Sequence, residues 1–151
     1  MADWDFAETN THQDHVIAHV LGATVEGYFV WDETAYLLLD IGFIWNIYLN
    51  GEMGLVPSPL AIAELDASDN VKAELRQDVD AITTRNADAA LRRMTKTAGS
   101  CSIKSVDFFG RENSRRLVLT CEDGCLGIET SLETAEVKIY ESQISDLRSQ
   151  I

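Results

Sequence analysis

The stretch TVEGYFVWDETAYLLLDIGFIWNIYLN, residues 24–50, is the most informative part of the chain. It is rich in β-branched and aromatic residues and is broken by Asp32-Glu33 and Ile41-Gly42. It therefore reads as three strands, Thr24–Trp31, Ala35–Asp40 and Ile44–Asn50, with the turn dipeptide Asn50-Gly51 ending the run. The second and third strands are apolar at successive positions, Tyr36 to Leu39 and then Phe43, Ile44, Trp45, Ile47, Tyr48 and Leu49. A strand with one wet face would alternate, so these two must be covered on both sides. One cover is expected to be the chain's own N-terminal helix. The other must be the second half of the chain or another subunit, and the second option would make the protein a homodimer.

Toward the N-terminus, Ala2 to Asn10 reads as a short docked strand or a loose tail. A helix is expected from Thr11, where Thr11 and Asp14 have the spacing of a capping box. Val16, Ile17, Val20 and Leu21 form its inward face, and Gly22 suits the left-handed position after its end. Toward the C-terminus, Pro57-Ser58-Pro59 breaks the sheet, with Ser58 and Pro59 placed to open a short helical turn to Leu65. A longer helix follows Ser68-Asp69-Asn70, with Val71, Leu75, Val79 and Ile82 on its early face. The apolar stripe then rotates to Ala87, Ala90, Leu91 and Met94, which demands a bend or break at Thr84–Asn86. Gly99 closes that region.

The last third reads as a second β block with strands Ser102–Phe109, Arg115–Cys121, Cys125–Thr130 and Glu136–Tyr140, and with Asp123-Gly124 as a hairpin signal. Here the alternation is clean: Leu117, Leu119 and Cys121 share one face, Arg116, Val118 and Thr120 the other. Ile144 to Ile151 would add a last helical turn. The expected fold is α+β, with two antiparallel β-meanders separated by a long, broken helix and preceded by a short N-terminal helix. The expected organisation is one globular domain of residues 1–151: helix plus first meander over 10–56, a helical segment over 57–99, and the second meander over 100–151. The two blocks echo each other at offsets near 80, Val25 with Ile103, Leu37 with Leu117, and Gly42 with Gly124. This is a weak internal duplication, or the likeness that any two antiparallel blocks share.

Charge divides the chain more sharply than hydropathy does. The formal net charge is −13, and no Lys or Arg occurs before Lys72. Asp3, Asp5, Glu8, Asp14, Glu26, Asp32, Glu33, Asp40, Glu52, Glu64, Asp66 and Asp69 all precede that first cation. Such a half repels phosphate backbones, so nucleic acid is not an expected partner. The longest oily stretch, Tyr36 to Leu49, is interrupted by Asp40 and Asn46 and is too short to span a bilayer, so no membrane is expected either. Without an export signal and with an odd set of thiols, Cys101, Cys121 and Cys125, the expected setting is a reducing cytoplasm with free cysteines.

Four groups of residues could carry chemistry or recognition. Nine of the twelve aromatic residues, including every Trp, lie before Asn50, in the same half as the unpaired acids. Acids beside aromatic faces suit a cationic guest, and Trp31, Asp32, Glu33 and Tyr36 around the first hairpin are the candidate binding residues. All three histidines, His12, His15 and His19, lie along one side of the first helix. His15 and His19 have a chelating spacing, with His12 too far from His19 to share their ion, so a metal would need carboxylates such as Asp5 or Glu8. Cys121 and Cys125 bracket a turn and would face each other across a three-residue loop but not across a two-residue one. Arg85, Arg92 and Lys96 would form a basic stripe on one helix face. Phosphate-binding loops, nucleophile elbows and zinc-protease motifs do not occur. The resulting expectation is a non-catalytic binding or regulatory domain whose acidic, aromatic N-terminal half engages a basic protein or cationic ligand. The alternative is a small metal-binding enzyme centred on His15 and His19.

Overall fold

The computed structural model describes residues 4–86, 88–98, 101–122 and 124–143. In chain order they form β1 (Asp5–Phe6), α1 (Thr11–Val20), β2 (Val25–Trp31), β3 (Thr34–Leu39), β4 (Phe43–Tyr48), β5 (Met53–Pro57), α2 (Ser58–Ala63), α3 (Asp69–Thr83), β6 (Thr95–Lys96), β7 (Ile103–Arg111), β8 (Ser114–Cys121), β9 (Gly124–Ser131) and β10 (Glu136–Gln143). The α+β reading with two antiparallel meanders holds. The first sheet has the order β5-β4-β3-β2-β6 and the second the order β1-β7-β8-β9-β10. Each sheet thus takes a two-residue edge strand from the other half of the chain, β6 on β2 and β1 on β7. No helix of the described residues is long and apolar enough to cross a membrane.

The two-sided apolar strands explain the layering. Along β3, Leu37 and Leu39 enter one core and Leu38 the other. The inner core lies between the sheets. Val25, Leu37, Leu39, Trp45 and Ile47 meet Ile103, Phe108, Leu117, Leu119, Leu126 and Ile128, with Val16 and Val20 of α1 joining them. The outer core packs Phe29, Leu38 and Ile44 against Ala61 and Ile62 of α2 and Val71, Leu75 and Ile82 of α3. Both faces are therefore covered within one chain, which removes the argument for homodimerisation through these strands. The helical cover is α2 with α3, not the N-terminal helix as expected. Helix α1 offers only a narrow apolar stripe, and it packs beside the inner core against β5. In the second sheet Leu117, Leu119 and Cys121 point inward, as the alternation requires.

Several local expectations change. Helix α1 is capped by Asn10, whose side chain accepts from the Gln13 N–H at 2.8 Å while Gln13 Oε1 accepts from the Asn10 N–H at 2.9 Å. The box therefore lies one residue before Thr11 and Asp14, because Asp14 is taken up by the Thr9 hydroxyl. Pro57, not Ser58, is the N-cap of α2. Strands β5 and β6 are additions. Helix α3 stops where a break was expected, with Arg85 in the left-handed region at φ 57°. The chain does not become helical again in residues 88–94. Arg85, Arg92 and Lys96 consequently do not share a helix face: they lie after the helix, in an irregular loop, and in β6. Ala87, Gly99, Asp123 of the expected second hairpin and the expected terminal turn at 144–151 lie outside the described residues.

The echo between the blocks has structural counterparts. Bulges interrupt the ladders between Val25 and Gly27 and between Ile103 and Ser105, at the same offset. Thr24 and Ser102 form an antiparallel bridge, with Val25 N–H donating to the Cys101 carbonyl (2.9 Å) and Ile103 N–H to the Ala23 carbonyl (2.8 Å). Exchanging the two segments maps this pair of bonds onto itself, as in any antiparallel bridge.

Candidate binding surface at the open end of the first sheet

The β2–β3 hairpin turns through two residues, Asp32 and Glu33, both with positive φ (48° and 61°). This tight geometry matches the twist of the strands and favours glycine at its second position. Glu33 there costs on the order of 1 kcal/mol of backbone strain and holds a second exposed carboxylate beside Asp32. The two aromatic members of the expected set are more tightly held. Trp31 is half-buried and donates its indole N–H to the Asp66 carbonyl at 3.2 Å, in the loop between α2 and α3. Tyr36 stacks on Phe29 with ring centroids 4.6 Å apart and planes 3° from parallel.

Register shows what else stands there. Residues paired across antiparallel strands point to the same face. One row on the outer face is Gly27, Leu38, Ile44 and Val56, and it lies under α2 and α3. The next row is Phe29, Tyr36, Asn46 and Gly54, and the last is Trp31, Thr34 and Tyr48. In the last row Tyr48 is 42% exposed while Thr34 beside it is buried. Burial, followed by the nearby Tyr48 phenol and Asp32 carboxylate, raises the Tyr36 pKa, while the Thr34 hydroxyl works the other way. Tyr36, Tyr48, Thr34 and Asp32 thus form one electrostatic neighbourhood. Asn46 is only 8% exposed, and its Oδ1 is buried with no hydrogen-bond partner among the described residues. A Cβ on Gly54 would meet nothing within 4 Å, so the sheet carries open space beside that amide.

Ion pairs among the described residues include Arg93–Glu74, Arg116–Glu129 and Lys138–Glu136. None uses a carboxylate that precedes Lys72. At Glu26, Arg85 and Lys96 act to lower the pKa, but burial and Asp40 outweigh them and raise it.

The histidines are placed differently from one another. His12 donates through Nε2 to the Met53 carbonyl at 2.9 Å, and Gln13 Nε2 donates to the Gly51 carbonyl at 2.8 Å. Together they hold the β4–β5 connection against α1. His15 and His19 are exposed with ring centroids 5.1 Å apart, and His19 Nδ1 bonds the His15 carbonyl at 3.0 Å. No group of three or more His, Cys, Asp or Glu able to hold a metal ion occurs among the described residues, so Asp5 and Glu8 do not complete a site there.

The cysteine expectation needs correction. Cys121 pairs with Cys101 in a disulfide, Cα to Cα 4.9 Å, and Cys125 is a free, buried thiol. The β8–β9 register sets Cys125 opposite Thr120, so Cys121 points into the inner core while Cys125 shares the face of Thr120. Cys121 and Cys125 therefore lie on opposite sides of the sheet. Burial pushes the Cys125 thiol pKa up.

All four expected binding residues meet at one end of the first sheet. Sequence reasoning missed Thr34, Asn46, Tyr48, Gly54 and Asp66. A signal existed for Asn46, the one polar residue inside Phe43–Leu49. No protein-family model matches this chain, and neither a curated protein nor a solved structure matches it.

Proposed function

We propose that the chain is a non-catalytic binding domain that presents the open end of its first sheet to a basic protein segment. The carrying observation is a pair of exposed carboxylates near an acceptor that no donor meets among the described residues. Asp32 and Glu33 expose their carboxylates between the half-buried rings of Trp31 and Tyr36, and the buried Asn46 oxygen, in register beside Tyr36, has no hydrogen-bond partner among the described residues. A buried acceptor without a donor costs free energy, which an incoming N–H offsets. Cations gain further from aromatic faces and from a stretch of chain that carries no Lys or Arg before Lys72.

The test is fluorescence anisotropy with a labelled ten-residue peptide of alternating Arg and Gly. Binding is expected to weaken steadily with added salt. The double variant Asp32→Lys, Glu33→Lys should lose about tenfold or more in affinity, because like charges then face the peptide. Its thermal melting should stay close to that of the parent, since both side chains are exposed. Unchanged affinity in that variant would overturn the proposal.

A further inference from the structure

At the β7 edge of the second sheet the chain leaves and then returns. Ala7 donates its N–H to the Phe108 carbonyl at 2.8 Å, and Gly22 donates to the Ile103 carbonyl at 2.9 Å. Between those two contacts the chain runs through α1, and a gap opens between the helix and the strand edge. The gap is a cavity of about 370 Å³, and pockets for small organic molecules begin at about 300 Å³. Phe6, Ala7, Ile17, Val106 and Phe108 supply its apolar walls. Phe6 is 69% exposed there, its ring edge-on to that of Phe109 with centroids 6.0 Å apart. The polar side chains that line the cavity are Glu8, Thr9 and Asp14, two acids and a hydroxyl. The Thr9 hydroxyl donates to Asp14 Oδ1 and fixes that carboxylate at the rim. Ladder alternation adds a third acceptor. The Phe108 carbonyl faces Ala7, so Val106, two residues earlier on the same strand, turns its own carbonyl to that side.

We propose that this cavity is a second binding site, for a small organic molecule with an apolar body and a primary ammonium group. It shares no residue with the surface around Asp32 and Glu33 and goes beyond the binding of a basic segment there. The walls bury the apolar body and take its surface out of water. The ammonium carries three N–H donors, and the site offers the carboxylates of Glu8 and Asp14 and the Val106 carbonyl. Bonds from an ammonium to a carboxylate are charge-assisted and stronger than neutral ones. Other ligand classes use less of the site. An anion is repelled by both acids. A neutral oily molecule fills the walls but gains little from either carboxylate. A quaternary ammonium brings charge without a donor. A bare metal ion finds too few ligands, since no group of three or more His, Cys, Asp or Glu able to hold one occurs among the described residues.

The experiment titrates phenethylammonium, phenethyl alcohol and phenylacetate into the full chain and follows the methyl NMR signals of Ile17 and Val106. The ammonium should move those signals and bind about tenfold more tightly than the alcohol, the scale of a charge-assisted hydrogen bond, with phenylacetate weakest. The double variant Glu8→Gln, Asp14→Asn changes two exposed side chains, keeps their shape and leaves Thr9 an acceptor. It should melt near the parent and lose the preference for the ammonium. Ala7→Leu, which fills part of the cavity, should weaken the ammonium and the alcohol alike. The Asp32→Lys, Glu33→Lys protein should bind the ammonium as the parent does. Three results would each overturn the site: Ile17 and Val106 signals that stay still, equal affinity for ammonium and alcohol, or a preference that survives in the Glu8, Asp14 variant. Loss of the ammonium in the Asp32, Glu33 variant would place it on the other surface and overturn this one.

Discussion

At the scale of single residues, a few polar side chains do work that their neighbours in sequence do not announce. Tyr28 donates its hydroxyl to Glu141 Oε2 at 2.8 Å, and the other oxygen of that carboxylate accepts from the Ala98 N–H at 3.0 Å. One glutamate thereby ties β2 of the first sheet to β10 of the second. Burial first, then the hydrogen bond to Glu141 and its charge, push the Tyr28 phenol pKa up to about 12. The protonated phenol is the form that the fold favours. Its contribution is whole below the ordinary phenol value of 10.0 and is lost as pH rises from there through about 12. An NMR titration of the Tyr28 ring should show that late midpoint, and Glu141→Gln should bring it down. A Tyr28 that ionises at the ordinary value in the parent protein would refute the link. The Tyr28–Glu141 bond spans 113 residues, and nothing near either residue signals it. Asp32 and Glu33 were legible, by contrast, because a turn exposes its residues whatever packs around it.

At the scale of elements, Asp78 is the clearest case. It lies on the buried face of α3 at 1% exposure, in step with Val71, Leu75 and Ile82. Its carboxylate accepts from the backbone N–H groups of Arg92 (2.8 Å), Arg93 (2.7 Å) and Met94 (2.8 Å). These bonds latch the irregular loop onto the helix and lay Met94 over Gly27 of β2. Asp78→Ala would orphan three donors and should cost about 3–5 kcal/mol in urea unfolding. Amide exchange at Arg92, Arg93 and Met94 should quicken with it. Glu74→Ala breaks only the partly exposed pair with Arg93 and should cost less than about 1 kcal/mol. Equal losses in the two variants would refute the latch. An acid at an apolar helical position was a visible clue to this role. Other elements left fainter traces. In β5 a glycine and a proline dilute the strand signal, and β6 has only two residues, so its pairing with β2 is settled by tertiary contact. Residues 88–94 have a helical pattern of apolar positions, but the Asp78 bonds hold their backbone in another path.

At the scale of the whole molecule, the two meanders close on each other through the Thr24–Ser102 bridge and the shared inner core. The Cys101–Cys121 disulfide, with a sequence separation of 20, braces the second sheet at that junction. Closing a loop of that length stabilises the fold by about 3 kcal/mol through the entropy of the unfolded chain. Reduction, or Cys101→Ser with Cys121→Ser, should lower the unfolding free energy by about that amount. Thiol counting on the denatured, unreduced protein should find Cys125 alone, and a count of three would refute the pairing. The net charge of −13 acts at this scale too, since unpaired acids repel one another. Added salt should therefore weaken binding of a basic peptide while leaving the fold intact.

Residues 24–50, taken alone, already demanded strands greasy on two sides, turns at fixed places and a cover for each face. They also placed the acids and rings that make the candidate surface. These properties depend on neighbours a few residues apart, and local periodicity records them. The folded chain alone decided that α2 and α3 supply the outer cover, that Cys121 meets Cys101, that Asp78 holds a distant loop and that Asn46 lies between Tyr36 and Gly54. Each of these depends on register and packing between segments far apart in sequence, where several partners satisfy the same local pattern and only the global fit of the cores selects one.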